Sequence, residues 1–425
     1  MKFMNNIKET DSLLVISSYP SRNKKYKNMT GGIAWHTQKT LKWMKKAMPE
    51  LNVKVIANIF NKPEAYVDED GINVQRKWKI NSLKGLFSIA KEIVKSKSNK
   101  ILFPFEFFIV GNLIYLPIYI GLIYLSKIIG KDVTLIFHNV VSDIGVFEHN
   151  KAKAFIFNNL RSAFYNLIMF PCENVIVFEQ SMKEHLGDSD KISVIALAVE
   201  PKKIIDKSIA KKKLGLDANK KYLLYFGFLS LYKGIDDLLQ IWDKNTGYEL
   251  IIAGGENPAY ASDAFYQEFI EKIKKLAKEK GAIMTGFVPD DMVDYYYNAC
   301  EAVILPYKTF MSSSGPLSLA FSYNKPVLLS NVLSEYFKSN DIKYSLANSG
   351  LKNEDIIFNI NSKSFRSRLT KLEGNIEKYV AFSKSVFIKR QWESLSLDYC
   401  ALIFNQYAKL KLVNVELKPL VVTVS

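Results

Sequence analysis

Val303–Val327 reads VILPYKTFMSSSGPLSLAFSYNKPV. It begins inside an apolar run, Ala302–Leu305, that predicts a buried strand. A polar turn, Tyr307–Ser314, follows. From Gly315 an apolar helical pattern runs through Leu317, Leu319, Ala320 and Phe321. It stops before Lys325-Pro326, and Val327–Ser330 is the next strand. The Ser-Ser-Ser-Gly helix start offers backbone N–H groups and hydroxyls that suit a phosphate or diphosphate. A plain serine cap gives the same pattern with no ligand at all.

Upstream of this stretch the same punctuation recurs. Tyr222–Phe226 predicts a strand that leads into Gly227-Phe228-Leu229-Ser230-Leu231-Tyr232-Lys233-Gly234, and a helix follows over Ile235–Trp242. A lysine at a glycine-bounded helix start is a suitable counter-charge for phosphate. A solvated surface lysine is the other reading. Leu250–Ala253 predicts a strand running into Gly254-Gly255-Glu256. Phe265–Lys280 is an amphipathic helix and Ile283–Thr285 a strand, followed by Gly286-Phe287-Val288-Pro289-Asp290. Met292–Ala299 is the next helix, and Asp355–Asn359 with later helices completes the domain.

The first half has the same grammar. Leu13–Ser18 reads as a buried parallel strand. After the polar loop Tyr19–Thr30, Gly31-Gly32 opens a helix carrying Ile33, Trp35, His36, Leu41 and Met44. Glycines there permit close backbone approach to a ligand, or merely a tight turn; the spacing is not the dinucleotide fingerprint. Val53–Ala57, Ile72–Trp78, Ile101–Phe103, Val133–Phe137, Val175–Phe178 and Ile192–Ile195 predict further strands. Ser82–Lys97, Ala152–Met169 and Gln180–Leu186 predict helices. Phe107–Ser126 carries no charge over twenty residues, a length that could span a bilayer. Asn112, Pro117 and two glycines inside it, with strands close on both sides, favour a core or membrane-surface helix.

The chain has 425 residues, room for two ordinary domains, and at 48% hydrophobic residues it can fill two cores. The formal net charge of +16 favours an acidic partner: anionic lipid, nucleic acid or a phosphorylated substrate. No basic–aromatic motif of a nucleic-acid module accompanies it. Cys172, Cys300 and Cys400 lie far apart, without metal-ligand spacing, and an odd number argues against a disulfide framework. The amino-terminal apolar run is too short for a signal peptide. The triplets Asp68–Asp70 and Asp188–Asp190 sit in turn-like polar contexts and read as solvated loops, so no metal site is expected.

Leu305-Pro306-Tyr307, Ser314-Gly315, Ala320 and Lys325-Pro326-Val327 together resemble the donor segment of glycosyltransferase family 4 and its GT-B-fold relatives. Gly227 to Gly234 is similar to that family's G-x-L-x-x-x-K-G loop. The resemblance implies an α/β chain with two Rossmann-like domains facing across a cleft. Residues 1–200 are then the acceptor-side domain and 201–390 the nucleotide-sugar domain, with lysine-rich 202–213 as linker. Gln391–Lys411 reads as a helix returning to the first domain, within a 391–425 tail.

In that resemblance Gly31, Gly32, Lys233, Ser314 and Gly315 meet the donor phosphates. Gly254, Phe287 and Val288 hold the nucleobase and ribose. His138, at the end of a strand in the first domain, faces the sugar, with His36 and His149 as lesser candidates. His138 and Lys233 are the catalytic candidates. Two places depart from the pattern. Phe228 and Ser230 stand where many relatives carry an arginine. Met311 and Leu319 stand where many carry two glutamates eight residues apart.

The implied activity is a hexosyltransferase, retaining and metal-independent. It would move a sugar from a UDP-, GDP- or ADP-sugar, as co-substrate and without other cofactor, to a glycan or lipid-linked acceptor in cell-surface polysaccharide or glycoconjugate synthesis. The expected place is the cytoplasm, with peripheral contact at the inner face of an anionic membrane, and no nucleic acid is expected as partner. The alternative is a non-catalytic GT-B paralogue acting as partner subunit of a transferase.

Overall fold

A computed structural model describes residues 11–405, apart from 24–25, 27–30, 142, 144–150, 258–259 and 311. His149 and Met311 therefore lie outside the described residues. The chain divides into two units: residues 1–136, 168–176 and 393–425 form one, and residues 137–167 and 177–392 the other.

The first sheet has eight strands: β1 (Ser12–Ile16), β2 (Asn52–Asn58), β3 (Glu64–Val67), β4 (Asn73–Trp78), β5 (Lys100–Phe105), β6 (Asp132–Phe137), β7 (Asn174–Val177) and β8 (Ile192–Val194). Their order is β3-β4-β2-β1-β5-β6-β7-β8. β1 pairs in parallel with both β2 and β5, and β3 returns antiparallel on β4. Strands such as Leu13–Ile16 are apolar throughout because both sheet faces are covered.

The second sheet is parallel in every pairing. It is built from β9 (Lys221–Phe226), β10 (Tyr248–Ala253), β11 (Ile283–Gly286), β12 (Ala302–Leu305), β13 (Val327–Ser330) and β14 (Ile357–Phe358). Its order is β11-β10-β9-β12-β13-β14. In sequence rank this is 3-2-1-4-5-6, the doubly wound arrangement, with its switch point between β9 and β12.

Three expectations change. The charge-free run 107–126 is not one helix: a turn and a 3-10 segment precede the helix Leu116–Ile128, whose Leu116, Tyr119, Ile120, Leu122 and Ile123 are buried. Its apolar character serves the core on one face. No helix among the described residues is long and apolar enough to cross a membrane.

The lysine-rich stretch 202–213 is half helical. Asp206 caps the helix Lys207–Lys213 by accepting from the Ser208 and Ile209 amides, and Lys211 is buried with its Nζ on the carbonyls of Ala218 and Lys220. The hairpin strand β3 escapes the sequence pattern because it is a mostly exposed edge with no apolar run.

Candidate functional site

Ligands of open α/β sheets bind beyond the carboxyl ends of strands at the switch point. In the second sheet the loops after β9, β10 and β11 are sewn together at that edge. The Gly227 amide donates to the Ala253 carbonyl at 2.9 Å, and the Leu229 amide to the Gly255 carbonyl at 2.9 Å. Short bridges join Leu229 to Glu256 and Gly254 to Gly286. A Cβ on Gly254 would lie 2.0 Å from the Gly227 carbonyl oxygen, so only glycine lets these loops touch. Phe287 is 60% exposed beside this seam, while Val288 is buried.

Lys233 ends the 3-10 turn Leu231–Lys233, and Gly234 follows with φ +65°, a left-handed conformation that glycine adopts freely. The lysine is buried, and its Nζ would lie 2.8 Å from a Cβ placed on Gly227, the same point that the Pro316 ring approaches to 3.3 Å. Burial alone lowers its pKa to about 8. No carboxylate pairs with it among the described residues. The neighbouring Lys308 is different: its Nζ lies 2.8 Å from Asp236 and 3.3 Å from Asp237, and is already neutralised. Among the described residues, Lys233 is thus a buried cation at this edge without a protein anion.

Ser314 caps the helix Gly315–Ser322: its Oγ accepts from the Leu317 amide. The same Oγ lies 2.9 Å from the Tyr307 hydroxyl, and the Ser314 N–H donates to the Tyr336 hydroxyl at 2.7 Å. The contacts of the serine are those of the cap reading. It is a real cap, and its own amide is engaged. Pro316 has no N–H, which leaves the Gly315 amide as the first-turn donor without an acceptor among the described residues. Lys233, Gly254, Phe287, Val288, Ser314 and Gly315 all lie on this one edge.

The other predicted residues lie elsewhere. Gly31 caps the helix Gly32–Ala47 in the first unit, and a Cβ on Gly31 or Gly32 would meet nothing within 4 Å. The preceding loop is clamped by Arg76, whose guanidinium donates to the carbonyls of Tyr19, Pro20 and Asn58. His138 follows β6, half-buried, with its ring edge-on to Phe178 at 5.2 Å.

His36 is a core residue. It is buried between Thr40 and Tyr399, and burial lowers its pKa to about 4. Asp68, from the first acidic triplet, accepts from the Asp70 and Ile72 amides and from the Tyr19 hydroxyl. Sequence reasoning missed Glu106, a half-buried carboxylate just after β5, at the switch point of the first sheet, with its pKa raised by burial. Its signal was a lone acid directly after an apolar strand.

Residues 206–362 match the family model described as glycosyl transferases group 1. An uncharacterized glycosyltransferase of Methanocaldococcus jannaschii is 27% identical over 176 residues. That match covers 37% of this chain and 42% of the relative, so it spans less than half of the relative's length. Sucrose-phosphate synthase from Thermosynechococcus elongatus has the same fold with a TM-score of 0.66 at 13% identity, over 94% of this chain and 99% of that one. Anabaena HepE in complex with UDP-glucose matches with a TM-score of 0.61 at 14% identity, over 93% and 99%.

Two parallel-sheet domains, shared with these structures over nearly the whole chain, define the GT-B fold class. Within that fold, residues 206–362 carry the segment described as glycosyl transferases group 1. The resemblance read from Val303–Val327 is borne out.

Proposed function

We propose that the protein transfers a hexosyl group from a nucleoside diphosphate-sugar to a hydroxyl of a glycan or lipid-linked acceptor. The observation that carries this is Lys233: a buried ammonium with no protein anion among the described residues, beside the start of the helix Gly315–Ser322. In the reaction the bond from the anomeric carbon to the phosphate oxygen breaks, and its electron pair leaves with the diphosphate. The acceptor oxygen forms the new bond to the anomeric carbon, and its proton passes to the departing phosphate oxygen. Lys233 and the Gly315 N–H would stabilise the charge that grows on the departing phosphate.

The proposal includes a retained anomeric configuration, metal-independent turnover, and a role in cell-surface polysaccharide or glycoconjugate synthesis at the cytoplasmic side. A UDP-sugar is the first donor to try, because Anabaena HepE is described with UDP and with UDP-glucose. Gly254, Phe287 and Val288 would hold the base and ribose, Gly31 and Gly32 would approach the phosphates, and His138 would face the sugar.

The deciding experiment is a thermal-shift screen against UDP, GDP, ADP and their sugars, repeated with Lys233→Ala. A ligand at a hundred times its Kd adds about 2.7 kcal/mol of stability. A shift with one nucleotide, lost in the variant, supports the donor site. No shift with any of them favours the non-catalytic partner reading.

For membrane contact the support lies on the helix Lys151–Met169 rather than on residues 107–126. Phe155, Ile156, Phe157, Leu160 and Leu167 are exposed along it and Phe170 just beyond, with Lys151 exposed at its start and a chain charge of +16 behind it. A cationic protein with such a face suits an anionic lipid surface. Flotation with phosphatidylglycerol vesicles should be lost at high salt and weakened by Phe157→Ser. Flotation that neither change affects would remove this part of the proposal.

A further inference from the structure

Glu179 lies two residues after β7, and its side chain is fully buried. Both carboxylate oxygens are saturated. Arg390 donates to them in a fork, Nη1 to Oε1 at 2.7 Å and Nη2 to Oε2 at 3.0 Å. Ser313 donates through its Oγ to Oε1 at 2.8 Å, and Ser339 to Oε2 at 2.9 Å. Arg390 also donates through Nε to Asp341 at 2.5 Å.

The charges decide what this cluster does. Arg390 brings one positive charge, and Glu179 with Asp341 bring two negative ones. A guanidinium held by two carboxylates is not available to a phosphate, so Arg390 does not replace the arginine absent at Phe228 and Ser230. A cluster with a net negative charge gives no electrostatic attraction to a diphosphate either. What it supplies is geometry. Ser313 immediately precedes Ser314, whose cap and amide fix where the Gly315 N–H points. Tyr336 pins the same loop from the other side: its hydroxyl donates to the Ser312 carbonyl at 3.0 Å and accepts from the Ser314 N–H.

We infer that Glu179, braced by Arg390, is a positioning residue that holds the Ser312–Ser314 loop through Ser313 and so aims the Gly315 amide. The inference rests on the proposed donor-phosphate reading of that amide. Removing the tether loosens the loop without disturbing the buried ion pair, because Glu179 keeps Arg390 and Ser339.

The test is Ser313→Ala, with Ser313→Thr as the conservative variant that keeps the hydroxyl. Three readouts are compared: UDP, GDP and ADP affinity, Tm, and hydrogen exchange of the amides in residues 312–317. Ser313→Ala should weaken the bound nucleotide about tenfold, some 1.4 kcal/mol, leave Tm unchanged and speed exchange in that loop alone. Ser313→Thr should restore both affinity and exchange.

Wild-type affinity with unchanged loop exchange in Ser313→Ala overturns the inference. So does a fall in Tm with exchange raised across the whole unit and no rescue by threonine, which marks a purely structural role. If the wild type binds none of the three nucleotides, the donor reading fails on its own, and loop exchange alone then decides whether Ser313 holds the loop. Glu179→Gln should repeat the affinity loss, but with a lower Tm, because it breaks a buried charge pair.

Discussion

Gly31-Gly32 and Gly254-Gly255 are both glycine pairs downstream of a strand, the first across the loop Tyr19–Thr30 and the second directly after β10. In space they are opposites. A Cβ at Gly31 or Gly32 would meet nothing within 4 Å, and Gly31 has an ordinary φ of −76°. A Cβ at Gly254 would sit 2.0 Å from the Gly227 carbonyl, and one at Gly255 would sit 2.9 Å from the Phe287 amide. The second pair is demanded by the fold, because the loops after β9, β10 and β11 close on each other. No contact among the described residues demands the first pair. Close packing holds Gly254 and Gly255 to glycine, whereas Gly31 and Gly32 have room for a side chain among the described residues.

The largest effect should come from breaking that wall. Gly254→Ala forces the Gly227 backbone to move, and overpacking of this kind costs about 3 kcal/mol at the upper end of its usual range. Calorimetry should show the second unit melting several degrees lower, and nucleotide binding should be lost with it because Gly227 is also where Lys233 lies. An unchanged Tm would mean that the seam is soft and the comparison empty.

The sequence made much of this edge legible. Ala302–Leu305 and Val327–Ser330 stand where the apolar runs place them, because a strand covered on both faces has no alternative to a continuous apolar run. Lys233 and Ser314-Gly315 were legible as local motifs. Glu179 and Arg390 were not: 211 residues separate them, and an isolated acid or base reads as solvated surface until the fold brings its partner. Arg76 is the same case, since only the fold shows that its guanidinium holds the loop before Gly31.

The helix behind Gly31-Gly32 is anchored by burial instead, and His36 offers a way to test that. Its folded pKa is lowered to about 4 by desolvation. Between the unfolded value near 6.5 and that lowered value, the unfolded chain binds more protons than the folded one. Stability should therefore fall as pH drops from about 6.5 to 4, by roughly 3 kcal/mol from this group. A His36→Gln variant should show a flatter stability curve over that window, measured by denaturant titration. An equally steep curve would show that His36 does not anchor the helix.

Lys233 moves the other edge with pH. Burial lowers its pKa to about 8, so in the folded protein it loses its charge as pH rises through that value, while the unfolded lysine titrates near 10.5. Folding stability from this group alone rises with pH between those limits. Nucleotide binding runs the opposite way, because the phosphate requires the charged form. Above pH 8 the free protein must take up a proton to bind, and Kd should rise by up to tenfold per pH unit, about 1.4 kcal/mol. Calorimetric titration in two buffers of different ionisation enthalpy reads that proton directly. A pH-independent Kd from pH 7 to 9.5 would place the phosphate away from Lys233.

The smallest expected change in stability separates the two glycine pairs most cleanly. Gly32→Ala lies in the first turn of the helix Gly32–Ala47, where alanine is the better helix former by up to about 1 kcal/mol. The space around it is open, so Tm should stay or rise slightly. If that space is kept for the donor, the added methyl group intrudes on the ligand and not on the protein, and turnover should fall while the fold holds. The pattern is therefore opposite to that of Gly254→Ala, where fold and binding fall together. A Gly32→Ala protein with full turnover would reduce Gly31-Gly32 to a tight turn, and a destabilised one would mean that the glycine has an internal partner after all.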